Sequence, residues 1–305
     1  MTPVASGSQR LVHRPALGIL YMCIASTIFP IMNGIVQLLS VRYSAEQLVW
    51  VRTAGHLVFV FALFAPQHGL RVLVTRQLKS QVLRSVLLLA STVLFFAGVA
   101  HLPLAQAVTI SFTAPFVVMV LGWPMLGERI TMQRLIGVVL AFSGVLVVIR
   151  PGSDVFQPAS LLIMGSATCY AIYQIYSRRV AGHDRPETSV IYSALVGSIV
   201  MLGFAALAWT PFHSWLDVGL MLSLGIMGGV GHYFVDKAMT YAPANVVSPF
   251  MYWQLVGSVI IGYLLWSTLP DAATWFGAAI IIVAGLYVGW LETRNKAPKA
   301  ISETV

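Results

Sequence analysis

Charge is scarce in this sequence: Asp, Glu, Lys and Arg together make up 9% of 305 residues, against 58% hydrophobic residues. With a mean hydropathy of +0.84, a chain of this length cannot hide its apolar surface inside one water-soluble globule. Soluble classes are excluded, and a bilayer is the implied solvent. Cysteine is also rare. Cys23 and Cys169 lie inside apolar runs, where a buried thiol acts as a small hydrophobe and says little about redox compartment. Catalytic signatures are missing too: there is no HExxH, no GxSxG, no Cys/His metal spacing and no phosphate-binding loop. An intramembrane enzyme is therefore a remote alternative, and no metal or cofactor is expected. A channel is equally remote, since neither multi-chain symmetry nor a short selectivity filter is visible. The formal charge of +8 comes from basic residues set singly or in pairs between apolar runs. That placement fits headgroup anchoring and excludes a nucleic-acid partner.

What is present is a series of apolar runs of bilayer length, roughly 20 residues each. Ten spans are predicted, at 16–39, 45–64, 83–102, 104–125, 131–149, 158–179, 188–209, 216–239, 243–266 and 272–291. Proline punctuates the shortest separations, at Pro103 and at Pro243, where a first helical position tolerates the missing N–H. No loop is long enough for a soluble domain. The first run follows Arg10 and Arg14 and, at about 24 residues, exceeds the apolar core of a signal peptide, so it is read as a retained span. Fourteen Lys and Arg, Arg84 among them, fall on the N-terminal side of the membrane, against Arg42 and Arg150 on the other. The positive-inside rule then places both termini in the cytoplasm of a bacterial-type inner membrane.

Two halves of five spans imply that the second enters the bilayer from the opposite side. A shift of 139 to 141 residues supports this: Ala105-Gln106-Ala107-Val108 falls on Ala244-Asn245-Val246-Val247, Asn33 on Gln174 and Gly137 on Gly277. The expected fold is all-α and integral to the membrane. Residues 1–152 form one five-helix repeat, 153–292 its inverted partner, and 293–305 a cytoplasmic tail. A substrate site is expected near the midplane between the halves.

The runs LPLAQAVTISFTAPFVVMVLGWPMLGERIT and AMTYAPANVVSPFMYWQLVGSVIIGYLLW, with Pro270-Asp271 and Gly285-Leu286-Tyr287 beyond, resemble the two halves of an EamA-type transporter of the drug/metabolite transporter superfamily. Leu126-Gly127-Glu128 and Arg52 also carry the likeness, whereas Trp266-Ser267 stands where the family often has a second Gly-Glu. The resemblance implies a ten-helix secondary transporter of small organic solutes, often an exporter. It also implies that spans 1, 3, 4, 6, 8 and 9 line a central cavity. The amino-acid exporters are the branch it suggests first.

Polar groups within the spans are the candidate site residues. Arg52 is the most expensive, at roughly 2.5–3.5 kcal/mol near the bilayer centre. It is read as a cation facing the cavity, as a group snorkelling to the outer surface, or as a structural pair with Glu46. His56 lies one turn on, as a titrating group or a packing histidine. In span 8, His232 and Asp236 share a face and Lys237 points elsewhere; the cluster is expected near the cytoplasmic end, as proton-coupling groups or as an interfacial anchor. Glu128 is read as a cap or loop ion pair. The segment Gly225 to Gly231 is read as close helix packing. For binding, the candidates are Asn33 and Gln37 on one face of span 1, Tyr173 and Gln174 in span 6, and Asn245, Tyr252, Trp253 and Gln254 in span 9. The last three cover most of a helix circumference, so they cannot all line the cavity. These amides serve either substrate binding or interhelical hydrogen bonding. Pro30, Pro115 and Pro249 are hinge candidates, because each frees a carbonyl one turn earlier.

The function expected on these grounds is export of amino acids, neutral and aromatic or of broad specificity, by alternating access between the halves. Partners are a small-molecule substrate, the lipid bilayer and, if transport is coupled, protons; a monomer suffices. The alternative is import of a larger cofactor-like metabolite through the same fold. An amide and aromatic lining without stacked positive charges argues against a phosphate-ester carrier.

Overall fold

The computed structural model describes residues 14–69, 73–126, 131–153, 156–180, 184, 186–242 and 244–295. Twelve helices are found there: α1 (Pro15–Leu39), α2 (Ala45–His68), α3 (Leu78–Val99), α4 (Leu104–Ser111), α5 (Ala114–Leu126), α6 (Met132–Ile149), α7 (Ala159–Val180), α8 (Pro186–Leu207), α9 (Trp215–Tyr241), α10 (Ala244–Val247), α11 (Trp253–Trp266) and α12 (Ala272–Asn295). No strand occurs among the described residues. Among the described residues, nine segments are long and apolar enough to cross a membrane. The remaining expected span, the sixth (α7), has the length but carries Ser166, Thr168, Tyr173, Gln174 and Ser177. The fourth and ninth spans are each broken. Span 3 begins at Leu78, five residues before the predicted start.

Local chemistry explains the ends and breaks. Thr131 caps α6 by accepting from the Arg134 amide at 3.4 Å, and Ser214 caps α9 by accepting from Asp217 at 3.1 Å. Arg150 and Ser267, at φ 51 and 54, end α6 and α11 in the left-handed region. Between α4 and α5 the chain turns at Phe112 and Thr113. Pro115 lies in the first turn of α5, where its missing N–H is harmless. The hydroxyls of Ser111 and Thr113 donate to the carbonyls of Val108 and Ile110, both at 2.7 Å, so neither hydroxyl is left without a partner in hydrocarbon. Span 9 breaks differently, through a 3-10 turn over Ser248–Tyr252 that contains Pro249. Pro30 leaves α1 unbroken, and Gly257 of α11 packs directly on its ring.

The helices pair between halves, and the pairs come in mates. α3 packs on α7 as α1 packs on α9, and α2 on α9 as α3 on α8. Spans 5 and 10 cross each other (α6 with α12), as do spans 2 and 7 (α2 with α8) and spans 4 and 9 (α4 with α11). Renumbering each span n as n+5 maps this pattern onto itself, the mark of a pseudo-two-fold axis. The relation reaches individual atoms. A methyl group on Gly137 would lie 2.5 Å from Val288, and one on Gly277 would lie 2.4 Å from Val148; an offset of 140 residues converts one contact into the other. Such glycines permit the close backbone approach that replaces a hydrophobic driving force in lipid.

Candidate functional site

The two broken spans meet at their breaks. Phe112, which ends α4, packs on Tyr252 with ring centroids 5.0 Å apart. On its other side Tyr252 fills the space left by Gly285 of α12, where a β-carbon would fall 1.7 Å from its hydroxyl oxygen. Tyr252 is thus wedged between both hinges and the last helix. Its neighbour Trp253 is 48% exposed and donates to the Thr27 hydroxyl of α1 at 3.1 Å. Gln254 and Gln174 are partly buried and make no side-chain hydrogen bond among the described residues, while Asn33 is buried and equally unpartnered. Gln37 is used structurally, because its Nε2 donates to the Leu102 carbonyl at 2.7 Å; its Oε1 is buried without a partner. The side chains of Asn245 and Asp236, together with Pro243 and Glu128, lie outside the described residues.

Arg52 neither snorkels nor reaches Glu46. It is 7% exposed, its Nε has no acceptor, and its guanidinium stands 6.0 Å from the Phe96 ring centroid. His56 is 6% exposed with an unpartnered Nε2, and stacks on His232 at 6.2 Å with an interplanar angle of 8°. His232 therefore lies at the depth of a mid-span residue of α2, deeper than its sequence position suggests. Phe29 of α1 meets its edge at 5.4 Å, and Asn33 follows one turn later on the same face. Lys237 turns away, with its ammonium 5.4 Å from the ring of half-exposed Tyr233. The glycine-rich segment of α9 makes this assembly possible. Gly225 touches Gly55 backbone to backbone, while Gly228, Gly229 and Gly231 leave room for Arg52, for His56 with Phe59, and for Phe29. Two shallow surface hollows, about 570 and 450 Å³, are lined by Arg14 to Leu20 and by His101 with Gln157 to Leu162; neither touches the interior cluster.

A model of the EamA-like transporter family matches this chain twice, over residues 16–150 and 157–290. The chain belongs to the EamA-like transporter family. A riboflavin transporter of Vibrio cholerae is 27% identical over 286 residues, covering 93% of this chain and 96% of that protein. An S-adenosylmethionine uptake transporter of Rickettsia felis is 30% identical over 241 residues, covering 79% and 81%. A pseudopaline exporter of Pseudomonas aeruginosa is 28% identical over 275 residues, covering 88% and 94%. One solved crystal structure superposes with a TM-score of 0.64 at 17% identity, covering 92% of this chain and 98% of the other; at that identity it speaks for the fold.

Two networks of this EamA-like chain were not anticipated from its sequence. Arg84, expected among the surface cations, is 4% exposed. It donates to Ser177, Gln81 and Tyr173 at 3.0–3.2 Å and to Ser193 at 3.4 Å, with the Tyr173 ring 5.0 Å beneath it. Tyr173 is therefore held by Arg84 at the α3–α7 contact. The earlier start of α3 explains the error, since it carries Arg84 into the helix's second turn, facing α7 and α8. Gln81 extends the network to Asp184 and Ser189, both at 2.9 Å, and Asp184 also accepts from Thr75. On the far face, opposite the chain ends, Arg42 pairs with Asp217 at 3.5 Å and Tyr43 donates to the same carboxylate at 2.7 Å. Gln47 exchanges two 3.0 Å bonds with the backbone of Thr210, and Arg150 pairs with Asp271. Burial alone would raise the Asp271 pKa, but hydrogen bonds from Thr274 and Arg150 hold it below its ordinary range.

Proposed function

We propose that this protein is a secondary transporter that imports a cofactor-sized organic metabolite by alternating access between its two five-helix halves. The proposed setting is a bacterial-type inner membrane with both chain ends cytoplasmic, which the distribution of Lys and Arg supports. The observation that carries the import reading is the likeness to the S-adenosylmethionine uptake transporter, while the end-to-end likeness to the riboflavin transporter supports a cofactor-sized cargo. Both favour the larger-cargo alternative over amino-acid export. The pseudopaline exporter keeps outward transport in the comparison, so the assay must read both directions. Mechanistically, the paired breaks at Phe112–Thr113 and Ser248–Tyr252 supply bending points, and Tyr252 couples them. Asn33, Gln174, Gln254 and Asn245 are proposed to meet the cargo, with Gln37 and Tyr173 as supports.

The test is transport by the purified full chain in liposomes. Labelled riboflavin and S-adenosylmethionine are offered outside, and labelled neutral and aromatic amino acids are preloaded inside. Uptake of either cofactor with retention of the amino acids is expected. Release of the amino acids with no cofactor uptake would return the reading to export. Imposing a pH gradient in the same assay separates coupled from downhill transport.

A further inference from the structure

We propose that Arg52, with His56 and His232, is the seat of a carboxylate group carried by the transported molecule. The inference rests on the transport reading only in assigning the bound group to the cargo.

The argument begins from an imbalance of charge. Arg42 and Arg150 each face an aspartate, and Arg84 has four hydrogen-bond acceptors. Arg52 is as buried as Arg84, yet it makes no ion pair or hydrogen bond among the described residues and its Nε is sealed from solvent without an acceptor. Around it stand the Phe96 ring and Gly228, with His56 one turn on along α2 and His232 stacked on His56. A buried unpaired cation is strongly destabilising, and the Phe96 ring at 6.0 Å offsets only a small part of that. The glycine at 228 is what allows the guanidinium to stay: a β-carbon there would lie 3.4 Å from Nε and 3.6 Å from Cζ and Nη2. An acceptor arriving from outside the chain resolves the imbalance. The planar guanidinium fork matches a carboxylate in shape. The unpartnered His56 Nε2 adds a second group able to donate to it. One permanent positive charge balances one negative charge, which favours a carboxylate over a phosphate dianion. Phe29, Phe59 and Phe96 give the adjoining part of the ligand an apolar wall.

The test is binding to the full chain in lipid nanodiscs, using benzoate, its neutral near-isostere benzamide and phenyl phosphate as probes. Wild type is expected to prefer benzoate over benzamide by at least about tenfold in affinity, with phenyl phosphate no better than benzoate. Arg52→Gln should abolish the preference and Arg52→Lys should keep part of it. If Arg52→Gln does not fold, the wild-type comparison still decides. Equal binding of benzoate and benzamide, a preference that survives in Arg52→Gln, or tighter binding of phenyl phosphate overturns the proposal. Benzoate selectivity that needs Arg52, with no uptake of riboflavin or S-adenosylmethionine, would sink the import reading and leave this one standing. Cofactor uptake with indistinguishable probes would do the reverse.

Discussion

Two buried arginines of the same bundle live under opposite rules. Arg84 spends its donors on Ser177, Gln81, Tyr173 and Ser193, so removing its charge should damage the fold. Arg84→Gln is expected to lower stability by about 3 kcal/mol or more, seen as reduced membrane abundance and a lower unfolding temperature. Arg52 has no such partners, and Arg52→Gln should leave abundance near wild type while reducing transport. Equal loss of abundance in both would remove the distinction. Sequence could not separate the two. A cation near a predicted span end reads as interfacial, and only the true start of α3 shows which way Arg84 faces. The same limit applied to Trp253, whose helical position is legible but whose exposure depends on where the 3-10 turn ends. Trp253→Ala should leave flux within about twofold of wild type, whereas Asn33→Ala, removing a buried unpartnered amide, should reduce it severalfold at equal abundance.

At the scale of elements, the informative feature is the broken pair of spans. The prolines announced both breaks in the sequence. Their positions were not legible, because they depend on how the backbone turns locally: span 4 turns at Phe112 and Thr113, while span 9 tightens into a 3-10 turn. Pro30 shows that proline alone does not break a span here, since α1 runs through it with Gly257 packed on its ring. If Tyr252 couples the hinges, crowding it should slow the cycle. Gly285→Ala puts a methyl group where the Tyr252 hydroxyl sits. Overpacking of this kind costs about 1–3 kcal/mol, so a lower unfolding temperature and a severalfold slower flux are expected. Adding Tyr252→Phe removes the nearest atom and should restore part of both. No recovery in the double variant would mean that Tyr252 is a packing residue without a hinge role.

For the whole molecule, the two-fold repetition was legible from an offset near 140 residues, and the family model matches the chain twice at that spacing. The pairing of helices was not legible, since any apolar face satisfies lipid as well as protein. The far-face ties explain why Arg42 and Arg150 stand apart from the charge bias: each holds an aspartate of the other half. Alternating access requires these ties to open. The Arg150–Asp271 pair, open to solvent on both sides, contributes only about 0–1 kcal/mol, which suits a latch that breaks in each cycle, whereas the buried Asp217 makes the Arg42 tie the firmer of the two. Asp271, held below its ordinary pKa, contributes its share above the unfolded value and loses it as pH falls through the lower folded value. The Arg150–Asp271 tie should therefore be unaffected between about pH 5 and 8, well above the ordinary aspartate value near 4. Reversing one charge, in Arg42→Asp, should change the transport rate, and adding Asp217→Arg should bring it back toward wild type.

The central claim is that a cargo held between two halves is exposed to one side at a time, and counterflow tests it most directly. Liposomes containing the purified chain are preloaded with unlabelled riboflavin or S-adenosylmethionine, whichever is taken up, and diluted into a trace of the labelled compound. A carrier that alternates should accumulate label transiently above its equilibrium level, with the overshoot weakened in Gly285→Ala. Label that only rises smoothly to equilibrium would contradict alternating access and describe an open pore.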